Sequence, residues 1–292
     1  MQTCPSISDN VLENIIALYA ETGQQWLENF PQFLEQYEAQ WNFKAIKSFD
    51  DAQFNIVLDA ETVVFKCCVP NKEFTTEILA LSHYDGMGAV KLLKNDIDHG
   101  AMLLEKINPG DILEKCESIE TATQAAISVC KKIHRPIYDA TPFPTLNDWC
   151  KGLYRASDKL INKKLLDKAK SLSDDLLTSQ KNCVLLHGDL HYANLLKNHD
   201  HYLAIDPKGV VGEPEFEIPL PRVNSGITQK KLLCYLDCFI ELSDFDKKRI
   251  HQWLFVKSVL AACWMVEDSG SVTDFTEKFL AVAEMIQKNR MR

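Results

Sequence analysis

A short apolar run, Cys183-Val-Leu-Leu186, leads directly into His187-Gly-Asp-Leu-His-Tyr-Ala-Asn-Leu-Leu196, and Ile205-Asp-Pro-Lys-Gly209 follows nine residues later. No other stretch limits the fold as strongly. The apolar run is short enough to be a buried strand. Asn194-Leu-Leu196 reads as the end of one strand, Lys197-Asn-His-Asp200 as a polar turn, and His201-Tyr-Leu-Ala-Ile205 as the returning strand. Such a hairpin returns Asp206 to the side of Asn194. The chain must therefore fold so that a strand delivers Asp189 on a loop and a hairpin brings a second carboxylate back to that loop.

The spacing Asp189-x-x-x-x-Asn194, with Asp206 twelve residues on, has the order of the protein-kinase catalytic loop. Phosphoryl transfer needs an acceptor oxygen held in line and charge neutralised on the phosphates. Asp189 is placed to orient and deprotonate a hydroxyl. Asn194 and Asp206 offer oxygen to Mg²⁺, a hard cation. A lone aspartate after a strand is an ordinary turn residue, but a ten-residue match followed by a hairpin and Ile-Asp is much rarer. His187 reads as a structural residue that fixes the loop, although an imidazole titrates near neutral pH and could serve as a base. For His191, loop support, substrate contact and no role at all stay open.

The run His187–Leu196, taken with Ala204-Ile-Asp-Pro-Lys-Gly-Val-Val-Gly-Glu-Pro214, resembles the aminoglycoside phosphotransferase superfamily, and within it the streptomycin 6-phosphotransferase and hydroxyurea-kinase branch. Two upstream stretches resemble it as well: Glu77-Ile-Leu-Ala-Leu with Asp85-Gly-Met-Gly-Ala-Val-Lys-Leu-Leu93, and Ala101-Met-Leu-Leu-Glu-Lys-Ile-Asn-Pro-Gly110. The resemblance implies an α+β, two-lobed, protein-kinase-like fold. A small β-rich N-lobe over residues 1–107 would hold the N-terminal helices and a five-stranded sheet with one helix. A large helical C-lobe over 108–292 would carry the catalytic loop and the metal-binding hairpin. The resemblance further implies ATP, with GTP in some relatives, and Mg²⁺. It makes Asp189 the catalytic aspartate and Asn194 and Asp206 the metal ligands. Lys66 becomes the lysine that steadies the α- and β-phosphates, Glu77 its helix partner, and the backbone around Glu105 and Ile107 the hinge that meets adenine.

Lys66 invites that role on physical grounds too. It ends the apolar run Thr62-Val-Val-Phe and precedes Cys-Cys-Val, so its charge needs a partner or an exposed edge. Glu77 lies on the helix expected over 72–84, and Glu73, one turn earlier on the same face, competes for it. The chain departs from the family pattern in several places. Tyr192-Ala193 replaces His/Pro-Gly. Ser48-Phe-Asp-Asp-Ala-Gln-Phe54, where a phosphate-covering loop should lie, has no glycine. Glu217 stands where aspartate is usual, and the Arg-Asn-Pro of relatives is missing, Arg222 and Asn224 being apart.

With 46% hydrophobic and 25% charged residues in 292, the composition is that of an ordinary globular protein. The longest apolar stretch, Trp253 to Met265, is broken by Lys257 and too short to span a bilayer. Residues 1–43 contain no Lys or Arg, hence no basic signal region, and a cytoplasmic protein is expected. The ten cysteines form no Cys-x-x-Cys and read as reduced packing residues, including Cys234 and Cys238 at helical spacing. The net charge of −9 argues against nucleic acid and suits a cationic substrate, but residues 1–43 hold six acids, so the rest of the chain carries only −3.

Two N-terminal helices are expected: one capped by Ser8 and ended by Gly23, and a second, aromatic one kinked or split at Pro31. Strands follow near 43–48, 53–58, 62–69, 89–94 and 101–106. Asn108-Pro-Gly110 marks a lobe boundary, with helices beyond it at 111–117, 119–134, 146–179, 228–242, 246–267 and 272–289. Gly86-Met-Gly88 reads as a turn, and no Walker A sequence is present.

The leading functional expectation is a kinase for a small, cationic alcohol, as a monomer or homodimer, with no nucleic-acid or membrane partner. Glu213, Asp237, Glu241, Glu267 and Asp268 (with Glu215) are candidates to meet cationic groups, each also readable as a solvated face. A metabolic kinase for choline, a sugar or homoserine keeps the same chemistry; a quaternary ammonium would need an aromatic cage, with Trp149, Tyr154, Trp253 and Trp264 as members. A nucleotide-binding pseudokinase is the non-enzyme reading, and the presence of Asp189, Asn194, Asp206 and Lys66 argues against it.

Overall fold

The computed structural model describes residues 5–49, 53–223 and 225–290. These divide into two compact units, Met1–Asn108 and Pro109–Arg292. The expected phosphate-covering segment falls partly on 50–52, and Asn224 of the missing Arg-Asn-Pro falls on 224, outside the described residues.

The first unit begins with α1 (Asp9–Trp41), which is broken at Ala20 (φ 48°, ψ −127°). Both expected N-terminal helices are present, but the break differs from expectation. Gly23 lies inside the second segment, where a Cβ would stand 2.7 Å from the Ile15 carbonyl oxygen. Its missing side chain lets the two segments approach; it does not end a helix. Pro31 sits within the second segment without splitting it. Ser8 precedes the helix but makes no side-chain cap.

A five-stranded antiparallel sheet follows, built from β1 (Lys47–Ser48), β2 (Ile56–Ala60), β3 (Val63–Cys67), β4 (Leu92–Asp96) and β5 (Ala101–Glu105), in the order β1-β2-β3-β5-β4. The helix α2 (Lys72–Tyr84) is capped by Asn71, whose side chain accepts the Phe74 N–H. The aromatic stripe of α1 covers one sheet face. The Tyr37 ring lies 4.7 Å from both Phe33 (tilted) and Trp41 (edge-on), and Phe65 of β3 lies among them, stacked on Phe43 at 5.0 Å. Burying a side chain such as Phe65 contributes about 1.5–3 kcal/mol. Alternation along β3 then decides the site: with Phe65 and Cys67 in this core, Lys66 projects from the opposite face.

In the second unit β6 (Pro109–Ile112), β8 (Leu195–Asn198) and β9 (His201–Ala204) form one sheet, and β7 (Val184–Leu186) pairs with β10 (Val210–Gly212) in another. Where a helix over 111–117 was expected, Ile112 instead pairs with Leu196 and only a 3₁₀ turn, Leu113–Lys115, follows. The helices are α3 (Ile119–Ile133), α4 (Leu146–Arg155), α5 (Lys163–Thr178), α6 (Gln229–Leu242), α7 (Lys247–Ser269) and α8 (Asp274–Arg290). The single helix expected over 146–179 is two. Ala156 is extended, Ile161 turns into the core, and Asn162 caps α5 by accepting the Lys164 N–H. The centre of this unit is α7. Trp253, Leu254, Phe255 and Val256 are consecutive and all buried, so the helix is enclosed on every side, by α4, α5 and α8 among others.

Candidate active site

The loop after β7 is held by its own first residue. The buried His187 uses both ring nitrogens: Nε2 donates to the Ile205 carbonyl at 2.7 Å, and Nδ1 accepts the Asp189 N–H at 3.2 Å. Its carbonyl accepts the N–H groups of Lys208 (2.7 Å) and Gly209 (3.2 Å). One imidazole thus clamps the Asp189 backbone to the residue before Asp206. Burial pushes the His187 pKa down, against the pull of Glu217 and Asp189, so the ring is kept neutral and can serve as donor and acceptor at once.

Asp189 stands on this loop with its side chain half exposed. The amide of Asn194 donates to the Asp189 carbonyl at 3.0 Å, which turns the Asn194 carbonyl oxygen the other way. The main-chain carbonyl of Asn194 accepts the Ile205 N–H at 3.0 Å, the first rung of the expected hairpin, with Leu195 opposite Ala204. Asp206 comes next, exposed and in the left-handed region (φ 59°). Two oxygen donors therefore flank one hairpin. Among the described residues no three or more His, Cys, Asp or Glu gather to hold a metal. This donor set suits Mg²⁺, which takes one or two protein oxygens and completes its shell with phosphate and water, and does not suit zinc.

Support for the loop comes from residues whose role the sequence left unread. Glu217, fully buried, accepts the N–H groups of Gly188 (2.6 Å) and His187 (2.9 Å), and His134 Nε2 lies 3.0 Å from the same carboxylate. For Glu217 the sequence signals were its place where the family usually has aspartate and a carboxylate inside the otherwise apolar Phe216-Glu217-Ile218. Gly188 (φ 90°) lies against Trp149, and a Cβ there would come within 2.7 Å of that ring. Tyr192, at one of the departures from the family pattern, is buried; its hydroxyl is 3.3 Å from that of Thr123 and its ring meets Tyr235 edge-on at 5.4 Å. His191 lies beside Asp189 with its Nε2 4.0 Å from Asp189 Oδ2.

In the first unit Lys66 and Glu77 are buried and paired at 2.6 Å. Glu77, one turn beyond Glu73 on α2, thus pairs with Lys66. Glu105 accepts the Lys91 N–H at 2.8 Å, and Ile107 beyond it is buried.

The acidic residues expected to meet a cationic acceptor do not gather. Glu213 is sealed in the core, where its carboxylate takes Arg249 (2.6 and 2.9 Å) and the Trp253 indole N–H. Glu267 is held by the Arg155 guanidinium at 2.8 and 2.9 Å. Arg249 and Glu267 are eighteen residues apart on α7, about 27 Å along the axis. Asp237 is half-buried on α6, and Glu241 and Asp268 are exposed. Nor do the four aromatics form a cage. Trp253 is buried against Phe216, and the Tyr154 hydroxyl is held by Asp174 at 2.6 Å. Only Trp149 and Trp264 meet, edge-on at 5.5 Å.

The sequence model of the aminoglycoside/hydroxyurea antibiotic resistance kinases matches residues 57–269, most of the chain. The chain belongs to this family. It is a small-molecule phosphotransferase with an alcohol group as acceptor. This kinase is 27% identical over 281 residues to the hydroxyurea phosphotransferase of Kitasatospora aureofaciens, covering 90% of this chain and 81% of that protein. It is 24% identical over 291 residues to the streptomycin 6-kinase of Streptomyces glaucescens, covering 91% and 92%. The choline kinase LicA of Streptococcus pneumoniae shares the fold, with a TM-score of 0.62 at 14% identity over 88% of this chain and 98% of that one; LicA has also been solved with AMP, where the TM-score is 0.60. The kinase has the expected α+β architecture, a β-sheet unit and a largely helical one.

Proposed function

We propose that this kinase transfers the γ-phosphoryl group of ATP, with Mg²⁺, to a hydroxyl of a streptomycin-like aminoglycoside. The observation that carries the reading is the locked loop: Asp189 is half exposed while its backbone is held by both His187 and Asn194. A base must be fixed and reachable at once, and this arrangement supplies both. Asp189 takes the acceptor proton. Asn194 and Asp206 would hold Mg²⁺, which when bound neutralises charge on the phosphates. Lys66, kept in place by Glu77, steadies the α- and β-phosphates, and the backbone at Glu105–Ile107 meets the adenine. His187 stays structural.

A second reading keeps this chemistry and makes the acceptor a smaller hydroxyl compound of the hydroxyurea type. The scattered acids favour it, since Glu213 and Glu267 are already matched by Arg249 and Arg155. The test is Mg²⁺-dependent ADP release across streptomycin, other aminoglycosides, hydroxyurea, choline and small sugars, with Asp189→Ala as control. Turnover on streptomycin that vanishes in the variant supports the first reading, and turnover on hydroxyurea alone supports the second. Silence across the panel with nucleotide still bound removes both.

A further inference from the structure

His191 sits two residues beyond Asp189 and opens the 3₁₀ turn Tyr192–Asn194, yet its side chain makes no cap. Its two nitrogens are in different surroundings. Nδ1 is buried and has no hydrogen-bond partner among the described residues. Nε2 faces the Asp189 carboxylate, 4.0 Å from Oδ2. The imidazole proton therefore belongs on Nε2. There it is attracted by the neighbouring carboxylate, whereas on Nδ1 it would be a buried donor with nothing to receive it. The Arg222–Glu114 pair, whose guanidinium and carboxylate meet at 2.8 Å, acts on the ring electrostatically. Burial, with the charge of Arg222, works against a second proton on the ring and outweighs the pull of Asp189.

A separation of 4.0 Å is too long for a hydrogen bond. An oxygen about 2.8 Å from each group fits to one side of the line joining them, with an angle of about 90° between the two contacts. We infer that His191 is a second catalytic residue, and that the oxygen it shares with Asp189 is the hydroxyl of the acceptor. This rests on the reading of Asp189 as the base. The hydroxyl donates its proton toward Asp189 Oδ2 and accepts one hydrogen bond from His191 Nε2–H. One lone pair stays free to attack phosphorus. As the new O–P bond forms, the hydroxyl proton passes to Asp189. The bond from phosphorus to the bridging oxygen of the nucleotide breaks, and its electron pair leaves on the nucleoside diphosphate. His191 keeps its proton throughout. Its contribution is direction: two contacts at a fixed angle orient the attacking lone pair, where Asp189 alone leaves the hydroxyl free to rotate.

Two variants and one spectrum test this. His191→Leu keeps the bulk and loses the donor; His191→Gln keeps an N–H near the position of Nε2. His191→Leu is expected to lower kcat by about 10²-fold on whichever acceptor the wild type turns over, the scale seen for loss of one aimed donor. His191→Gln should recover to within about tenfold of wild type, and ADP affinity should move less than about threefold in both. The readout that does not depend on activity is ¹⁵N NMR of the histidine-labelled protein, which reports the tautomer with no acceptor present; the Nε2–H form is expected for His191. A His191→Leu kcat within about threefold of wild type, beside a dead Asp189→Asn, overturns the inference. So does an equal loss in Leu and Gln variants with a matching fall in thermal stability, which would make His191 structural. If the wild type phosphorylates no acceptor, the functional reading fails by itself, and the spectrum still decides His191: an Nδ1–H tautomer overturns the inference.

Discussion

The carboxylate of Glu217 accepts the backbone N–H of Gly188 at 2.6 Å, from a position wholly inside the protein. It stands directly behind the loop that presents Asp189. Burial alone would raise its pKa; the hydrogen bond and charge of His134, with the charge of Lys257, outweigh this and hold it at about 2, against an ordinary 4.5. A carboxyl depressed in the folded state stabilises the protein fully above pH 4.5 and loses that contribution as the pH falls toward 2. Its worth is on the order of 3 kcal/mol. Urea unfolding of wild type and Glu217→Gln should therefore differ by a few kcal/mol at neutral pH, with the gap closing as the pH drops below 4.5. A gap that ignores pH would count against the charge as the source.

Gly188 and Gly226 both have positive φ, 90° and 78°, but only Gly188 is crowded, with Trp149 within 2.7 Å of a built Cβ while nothing lies within 4 Å at Gly226. Gly226→Ala should cost only the backbone strain, about 1 kcal/mol. Gly188→Ala should cost that and the displacement of the indole, about 2–4 kcal/mol together, and should lower kcat because the shift lands beside Asp189. Melting temperatures and turnover of the two variants separate the terms. Equal effects would mean that the Trp149 contact is soft.

Lys66 and Glu77 form a buried ion pair, so removing one partner takes from the other its matching charge. Lys66→Met is expected to cost about 3–5 kcal/mol. Lys66→Met with Glu77→Leu should regain most of that stability and none of the nucleotide affinity, because the apolar pair packs but offers no cation to phosphate. Chemical denaturation and ADP titration on the same proteins give both readings. A double variant that binds nucleotide normally would remove Lys66 from the phosphate site.

Glu213 is expected to matter for stability and not for the acceptor. Glu213→Gln leaves Arg249 half-matched in a closed environment and should cost about 2–4 kcal/mol, with kcat/KM of the folded enzyme changed less than about threefold. Glu267→Gln, which opens the exposed pair with Arg155, should cost at most about 1 kcal/mol. A large KM effect for a cationic acceptor in Glu213→Gln would reinstate it as a substrate contact.

The sequence by itself determined what depends on near neighbours in the chain. Asp189, Asn194 and Asp206 are linked by a loop and a two-strand hairpin, and the register Leu195 opposite Ala204 follows from turn chemistry within ten residues. The helix expected over 72–84 is present and capped by its neighbour Asn71, and Lys66 at the end of its apolar run does find a partner. Where distant residues had to meet, the sequence was silent or misled. A long polar-apolar pattern over 146–179 reads as one helix until Ile161 is drawn into the core and breaks it. Glu213 and Glu217 are both acids near the loop in sequence; the first was expected to meet a cationic acceptor and the second was noted only where the family has aspartate. One is sealed by Arg249 and Trp253, while the other holds the loop amides. Only tertiary structure separates them, because the state of a carboxylate is set by the donors and dielectric that packing brings to it from elsewhere in the chain. The same holds for His191: its place beside Asp189 is local, but the burial of Nδ1, which assigns its proton, is a property of the folded unit.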